Sequence, residues 1–93
     1  FLLMEAMEQA AVAMGLERET ARLLTQQTAL GAARVAIESD ETPAELRRRV
    51  TSPGGTTEQA IKVFESREWL NAVLEAMQAA RYRSDELSKL LGK

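Results

Sequence analysis

Residues 51–57 read Thr51-Ser52-Pro53-Gly54-Gly55-Thr56-Thr57, and no helix packing requires a stretch of that composition. Apolar residues at helical spacing flank it on both sides. Pro53 has no N–H to donate, and Gly54 and Gly55 open the positive-φ region that other residues avoid. Helical periodicity resumes at Thr56 or Thr57. A glycine turn running into a helix start aims several unpaired backbone N–H groups at one point, where the positive end of the helix dipole adds to them. That arrangement suits a small anion such as a carboxylate. It does not suit a nucleotide P-loop, which needs a Lys after the second Gly; here Thr56 follows Gly55. The same residue types also build ordinary helix-joining loops that bind nothing.

Working outward, the composition limits what such a loop could serve. The 93 residues make one domain, 45% apolar, with few aromatics (Phe1, Phe64, Trp69, Tyr82). Abundant alanine favours helices that approach closely, so the expected fold class is all-α. Twelve basic and fourteen acidic side chains nearly cancel, which argues against a nucleic-acid or membrane-surface partner. No apolar run is long enough to span a membrane, and no signal peptide is visible. Cysteine and histidine are absent. No disulfide, metal site, thiolate nucleophile or imidazole base is therefore expected, and the lack of cysteine suits a cytoplasmic setting. The chain opens on Phe1-Leu2-Leu3 with its apolar period already running and no capping residue before it. A fragment of a longer protein is the expectation.

Five helices follow from the pattern. In the first, from Phe1 to Met14, the residues Leu3, Met7, Ala10 and Met14 fall at seam spacing with Glu5, Glu8 and Gln9 off it. Gly15 fits a left-handed C-terminal cap with Leu16 as its apolar contact. The second should run from about Arg18 to about Ser39. It carries two apolar lines, one through Leu23, Leu30 and Ile37 and one through Leu24, Thr28, Gly31 and Val35. Two adjacent lines predict burial on more than one side, and mid-helix Gly31, which costs about 1 kcal/mol against Ala, predicts a close contact. Thr42-Pro43-Ala44-Glu45 opens a short third helix with a capping box, Leu46 and Val50 facing inward. Arg47, Arg48 and Arg49 point about 100° apart and read as a solvated face rather than a patch. The fourth helix is expected from Thr56 to Glu65 with Ala60, Ile61 and Phe64 inward. Ser66 then caps a fifth helix reaching about Leu91, whose inward set is Trp69, Leu70, Val73, Leu74, Met77 and Ala80. A last apolar turn, Leu87, Leu90 and Leu91, is left without an assigned role.

With these residues laid out, the chain resembles the C-terminal helical domain of pyrroline-5-carboxylate reductase over nearly its whole length. The matching segments are Glu5-Ala6-Met7, Ala11-Val12-Ala13-Met14-Gly15-Leu16, Gln27-Thr28-Ala29-Leu30-Gly31-Ala32-Ala33 and Pro43-Ala44-Glu45-Leu46-Arg47. Most specific is Val50-Thr51-Ser52-Pro53-Gly54-Gly55-Thr56-Thr57; a looser match runs from Ala76 to Leu87. The resemblance implies an interleaved helical dimerisation domain of the 6-phosphogluconate-dehydrogenase C-terminal type, in a homodimer that can assemble further into rings. It implies a cofactor, NADPH or NADH, bound mainly by an N-terminal Rossmann domain that this chain lacks. The implied reaction passes a hydride to the C=N carbon of 1-pyrroline-5-carboxylate, giving proline. The implied substrate-binding residues are Ser52, Gly55, Thr56 and Thr57. Ser52, Gly55 and Thr56 lie on the carboxylate, and Thr57 is the catalytic hydroxyl on the ring nitrogen. Without a dinucleotide-binding turn, residues 1–93 alone are expected to be catalytically silent.

Two departures and two rivals belong beside this reading. The family often has Gly-Gly between its last two helices, where this chain has Arg67 and Glu68; the turn there is in doubt. The family's Ser-Gly-x-x-Pro-Ala-Tyr stretch, which would precede Phe1, is not present in this chain. A stand-alone helical dimerisation module would share the association but tolerate changes in the loop. The helical domain of another Rossmann-type dehydrogenase generally supplies a catalytic Lys; here the lysines are Lys62, Lys89 and Lys93, none beside the loop in sequence.

Overall fold

Capping chemistry decides where each helix of this chain begins and ends. The computed structural model describes residues 1–92. Among them are five helices, α1 (Leu2–Ala13), α2 (Arg18–Glu38), α3 (Pro43–Arg49), α4 (Thr56–Ser66) and α5 (Trp69–Leu90), and no strand. The all-α expectation and the helix count hold. The chain divides into two compact units, Phe1–Arg47 and the part from Arg48 onward.

In the first unit, α1 stops where the glycine signal placed its end. Gly15 takes φ +109. Gly15 N–H donates to Val12 O (3.0 Å) and Leu16 N–H to Ala11 O (3.1 Å). These paired bonds form a Schellman motif, which satisfies two of the last carbonyls of the helix. Helix α2 then packs on α1, but not through the expected seam. The half-buried residues of α1 are Met4, Glu8, Ala11 and Val12, while Leu3, Met7 and Met14 remain exposed. On α2 the covered line is Ala21 (0% exposed), Thr25 (6%) and half-buried Ala29. Glu8, expected off the seam, lies on it with its side chain only 15% exposed. The reason is ionic. Arg22 Nε donates to Glu8 Oε1 at 2.9 Å and Arg18 Nη1 lies 3.9 Å from the same oxygen. Both arginines stay largely in water, so the pair contributes on the order of 1 kcal/mol or less. Its effect is to orient α1 so that the Leu3–Met7–Met14 line faces away from α2. The two apolar lines of α2, through Leu23, Leu30 and Ile37 and through Leu24 and Val35, are exposed as well.

The capping box at α3 forms as the sequence requires. Thr42 N–H donates to Glu45 Oε1 (3.2 Å), the Thr42 hydroxyl donates to the same oxygen (2.8 Å), and Glu45 N–H donates to Thr42 Oγ1 (3.2 Å). The Thr42 hydroxyl, and after it the Thr42 N–H, hold the Glu45 carboxyl below its ordinary range. Leu46 is half-buried, but Val50 is exposed, contrary to expectation, because α3 ends at Arg49 and Val50 falls in the turn beyond it.

In the second unit, α4 and α5 meet at a joint of two residues. Ser66 does not cap α5. It is the last residue of α4, and its hydroxyl donates backward to Val63 O (2.8 Å). The cap position of α5 belongs to Glu68, at φ 55 and ψ 47. This is the left-handed conformation a glycine would adopt without cost, so the turn survives the loss of Gly-Gly by straining Glu68. Across the joint, the Phe64 and Trp69 rings stack at a tilt of 53° with centroids 5.2 Å apart, a contact worth about 0.5–1.5 kcal/mol. Of the inward set expected on α4, Ile61 is half-buried, while Ala60 and Phe64 are exposed. None of the set expected on α5 is buried; Trp69 is 45% exposed and Leu70 83%. The apolar faces of α4 and α5 exist, but this chain alone does not cover them.

Two outcomes test these local readings in the full-length protein. Glu68→Gly relieves the left-handed strain and should raise stability by about 0.5–1 kcal/mol, read from chemical denaturation. Glu45 should titrate below an ordinary exposed Glu in a carboxyl NMR titration, and Thr42→Ala should return it to the ordinary range. Because the folded pKa is the lower one, the stabilisation is complete above the unfolded pKa and is lost as pH falls through the folded value.

Candidate functional site

The Thr51–Thr57 segment forms a tight turn that feeds directly into α4. Gly55 N–H donates to Ser52 O at 2.9 Å, closing a four-residue turn with Pro53 and Gly54 at its centre. Gly54 takes φ +74. Proline at the second position and a positive-φ glycine at the third are the marks of a type II turn. Gly55 serves as the cap residue of α4 with extended backbone and no side chain to cover the helix end. A Cβ at Gly55 would lie 3.1 Å from Ser52 O, so glycine also permits the close return of the chain.

The first backward bond of α4 runs from Gln59 N–H to Gly55 O at 3.4 Å. The N–H groups of Thr56, Thr57 and Glu58 precede it and have no place in the helix ladder. They form the positive pole that the sequence placed here. Ser52 and Thr56 are exposed, while Gly55 and Thr57 are half-buried. The structure thus brings Ser52, Gly55, Thr56 and Thr57 together on one turn and the first turn of one helix. Gly55 N–H is engaged inside the turn, so what Gly55 itself offers a ligand is an uncovered backbone.

One participant escaped the sequence reading. Glu58, in the first turn of α4, bends its carboxylate back so that Gly54 N–H donates to Glu58 Oε1 at 3.1 Å. Lys62 Nζ lies 3.6 Å from the same oxygen, one helical turn on. The signal was present: an acidic residue in the first turn of a helix reaches the backbone just before it, as in a capping box. It also amends the expectation for lysine. Lys62 reaches the rim of the loop through Glu58, because residues four apart share a helix face. Lys89 is on α5, and Lys93 lies outside the described residues.

No group of three or more acidic residues able to hold a metal ion occurs among the described residues, and no helix is long and apolar enough to cross a membrane. The described residues form no strand, and the chain carries no Gly-x-Gly-x-x-Gly turn to cradle a pyrophosphate.

Comparison with known proteins identifies the family and the fold. The family described as pyrroline-5-carboxylate reductase dimerisation matches residues 1–87. A pyrroline-5-carboxylate reductase of Pseudomonas aeruginosa is 57% identical over 93 residues, covering 100% of this chain and 34% of that protein. The solved structure of a pyrroline-5-carboxylate reductase from Coxiella burnetii superposes with a TM-score of 0.89 at 55% identity, over 94% of this chain and 32% of the other. A Plasmodium falciparum pyrroline carboxylate reductase, solved with NADP bound, superposes with a TM-score of 0.83 at 32% identity, over 85% of this chain and 32% of its own. The chain spans about a third of the length of the curated relatives it matches.

The turn makes its own prediction. Nothing lies within 4 Å of a Cβ built on Gly54, so the cost of a side chain there is backbone strain alone. Gly54→Ala should destabilise the full-length protein by about 1–2 kcal/mol, and Gly54→Asn by less, since asparagine tolerates the left-handed region. Denaturant midpoints of the two variants measure the difference.

Proposed function

The chain belongs to the pyrroline-5-carboxylate reductase dimerisation family, and from it we propose that residues 1–93 are the dimerisation and substrate-holding domain of a cytoplasmic reductase that converts 1-pyrroline-5-carboxylate to proline. The observation that carries the proposal is the type II turn at Ser52–Gly55, which delivers the open N-terminus of α4 beside two threonine hydroxyls.

The substrate is a small ring bearing one carboxylate and an imine. Its carboxylate is the kind of anion a helix start stabilises through N–H groups and dipole. Ser52 and the Thr56 backbone are assigned to it, with the bare backbone of Gly55 allowing close approach. Thr57 is assigned to the ring nitrogen. Hydride addition at the imine carbon leaves the electron pair of the C=N bond on that nitrogen, which takes up a proton. A threonine hydroxyl is too weak an acid to supply it alone, so Thr57 orients the nitrogen and passes on a proton drawn from water. The chemistry of hydride donation belongs to a nicotinamide dinucleotide, NADPH or NADH, held outside this chain. What the chain supplies is orientation of the substrate and an electrostatic match to its charge.

The uncovered apolar faces support the other half of the proposal. Leu23, Leu30 and Ile37 on α2, and Leu70, Leu74 and Met77 on α5, lie exposed along continuous helix faces. Surfaces of this extent mark an association interface, here assigned to a second copy of the chain, with further assembly of dimers into rings.

The test is oxidation of NADPH by the full-length protein with pyrroline-5-carboxylate, wild type beside Thr57→Ala. Robust turnover that falls at least tenfold in the variant, about 1.4 kcal/mol of transition-state stabilisation, is the expected result. Equal turnover in both removes Thr57 from the mechanism. Absence of turnover with either nucleotide overturns the enzyme assignment and leaves a helical dimerisation module.

A further inference from the structure

We propose that Glu58 is the positioning residue of the substrate loop, locking the central peptide of its turn in the type II orientation. The proposal rests on the reading of Ser52–Thr57 as the carboxylate-holding loop. Its basis is a bond between two groups to which that reading gave no role.

A type II turn and a type I turn differ by a flip of the peptide between their two central residues. Here that peptide joins Pro53 to Gly54, and its N–H is the one that Glu58 Oε1 accepts at 3.1 Å. Glycine makes the flip easy, because Gly54 can occupy either sign of φ without a steric penalty. The same freedom that admits φ +74 therefore leaves the turn free to change type. A carboxylate on the Gly54 N–H removes that freedom, since the flip would turn the N–H away from it. Hydrogen bonds to an ionised acceptor are about twice as strong as neutral ones, and this one spans only four residues.

The lock acts on the site through geometry. Ser52 O and Gly55 N–H hold the ends of the turn at 2.9 Å, but that bond is present in both turn types. The central peptide sets how the chain leaves Ser52 and enters α4, and so where Ser52 stands relative to the N–H groups of Thr56 and Thr57. Glu58 itself is in the first turn of α4, so its grip fixes the turn against the helix whose end does the binding. Lys62 Nζ, 3.6 Å from Glu58 Oε1, offsets part of the negative charge that Glu58 brings near an anion site. Its side chain is 63% exposed, and it is not part of the lock.

The experiment uses the full-length protein with Glu58→Ala, Glu58→Gln and Lys62→Met, read in two ways. Steady-state kinetics with pyrroline-5-carboxylate and NADPH give the functional readout. Hydrogen exchange of the Ser52–Thr57 segment, followed by mass spectrometry, gives a readout independent of any ligand. Glu58→Ala should raise KM for the carboxylate substrate about fivefold to tenfold, in line with the net worth of one solvent-exposed hydrogen bond, with the KM for NADPH unchanged. Exchange of the segment should quicken by a similar factor. Glu58→Gln keeps an oxygen acceptor but not its charge and should fall between wild type and Glu58→Ala in both readouts, while Lys62→Met should stay within about twofold of wild type. Equal KM and equal exchange for Glu58→Ala and wild type would overturn the lock. So would a Glu58→Gln variant as impaired as Glu58→Ala, which would assign the effect to charge, or a rise in both KM values together, which would mark general damage. If the wild type lacks turnover, the substrate assignment fails, and the exchange comparison still decides whether Glu58 holds the turn.

Discussion

A helix with one face packed and another left in water recovers only part of the entropy lost in ordering its chain. That constraint governs this protein. Ala21 is its one buried apolar residue, joined by Thr25, among the described residues. The remaining large side chains are arranged in stripes along α1, α2 and α5 whose apolar surface is worth about 25 cal/mol for each Å² once covered. An ordinary core would gather these stripes within the chain; here they are left as surfaces. Contacts such as Glu8 with Arg22 and Phe64 with Trp69 settle how adjacent helices orient. They do not supply the bulk of the stability, and in the proposed dimer that comes from covering the stripes.

The sequence was informative wherever a single residue decides a backbone outcome. Gly15 ends α1, Thr42 and Glu45 start α3, and Pro53 with Gly54 defines the turn, because each acts through its own φ or its own hydrogen bond. It was much less informative about which face a helix turns to which neighbour. Leu3, Met7 and Met14 do form an apolar line, but periodicity cannot tell whether the neighbour belongs to the same chain. The face of α1 that meets α2 carries the pairing of Glu8 with Arg22, fourteen residues apart, and nothing local announces it. The inward set assigned to α5, and all of that assigned to α4 but Ile61, stays exposed for the same reason: the stripes are real, and this chain does not cover them.

At the α4–α5 joint the sequence looked inconsistent with its own turn, since Arg67 and Glu68 stand where glycine is favoured. The structure resolves this by accepting a left-handed Glu68. A strained residue persists when the elements on both sides determine it, and here two helices and a stacked aromatic pair do so. The candidate site follows the opposite pattern. The turn shared by Ser52, Gly55, Thr56 and Thr57 was legible because turn chemistry is local, while the roles of these residues toward a ligand rest on the resemblance. Glu58 was not, because a glutamate in the first turn of a helix usually serves the helix rather than the loop before it.

The two bonds that close the turn, Gly55 N–H to Ser52 O and Gly54 N–H to Glu58 Oε1, lie between Ser52 and Glu58. Closing so short a segment costs little chain entropy, and the cost grows with the logarithm of loop length for any site drawn from distant parts of a protein. On the reading proposed above, the loop takes its shape as soon as α4 forms, without waiting for a second copy to cover the apolar stripes. The holding of an anion and the meeting of two chains are then separable events, the first set by a few neighbouring residues and the second by whole helix faces.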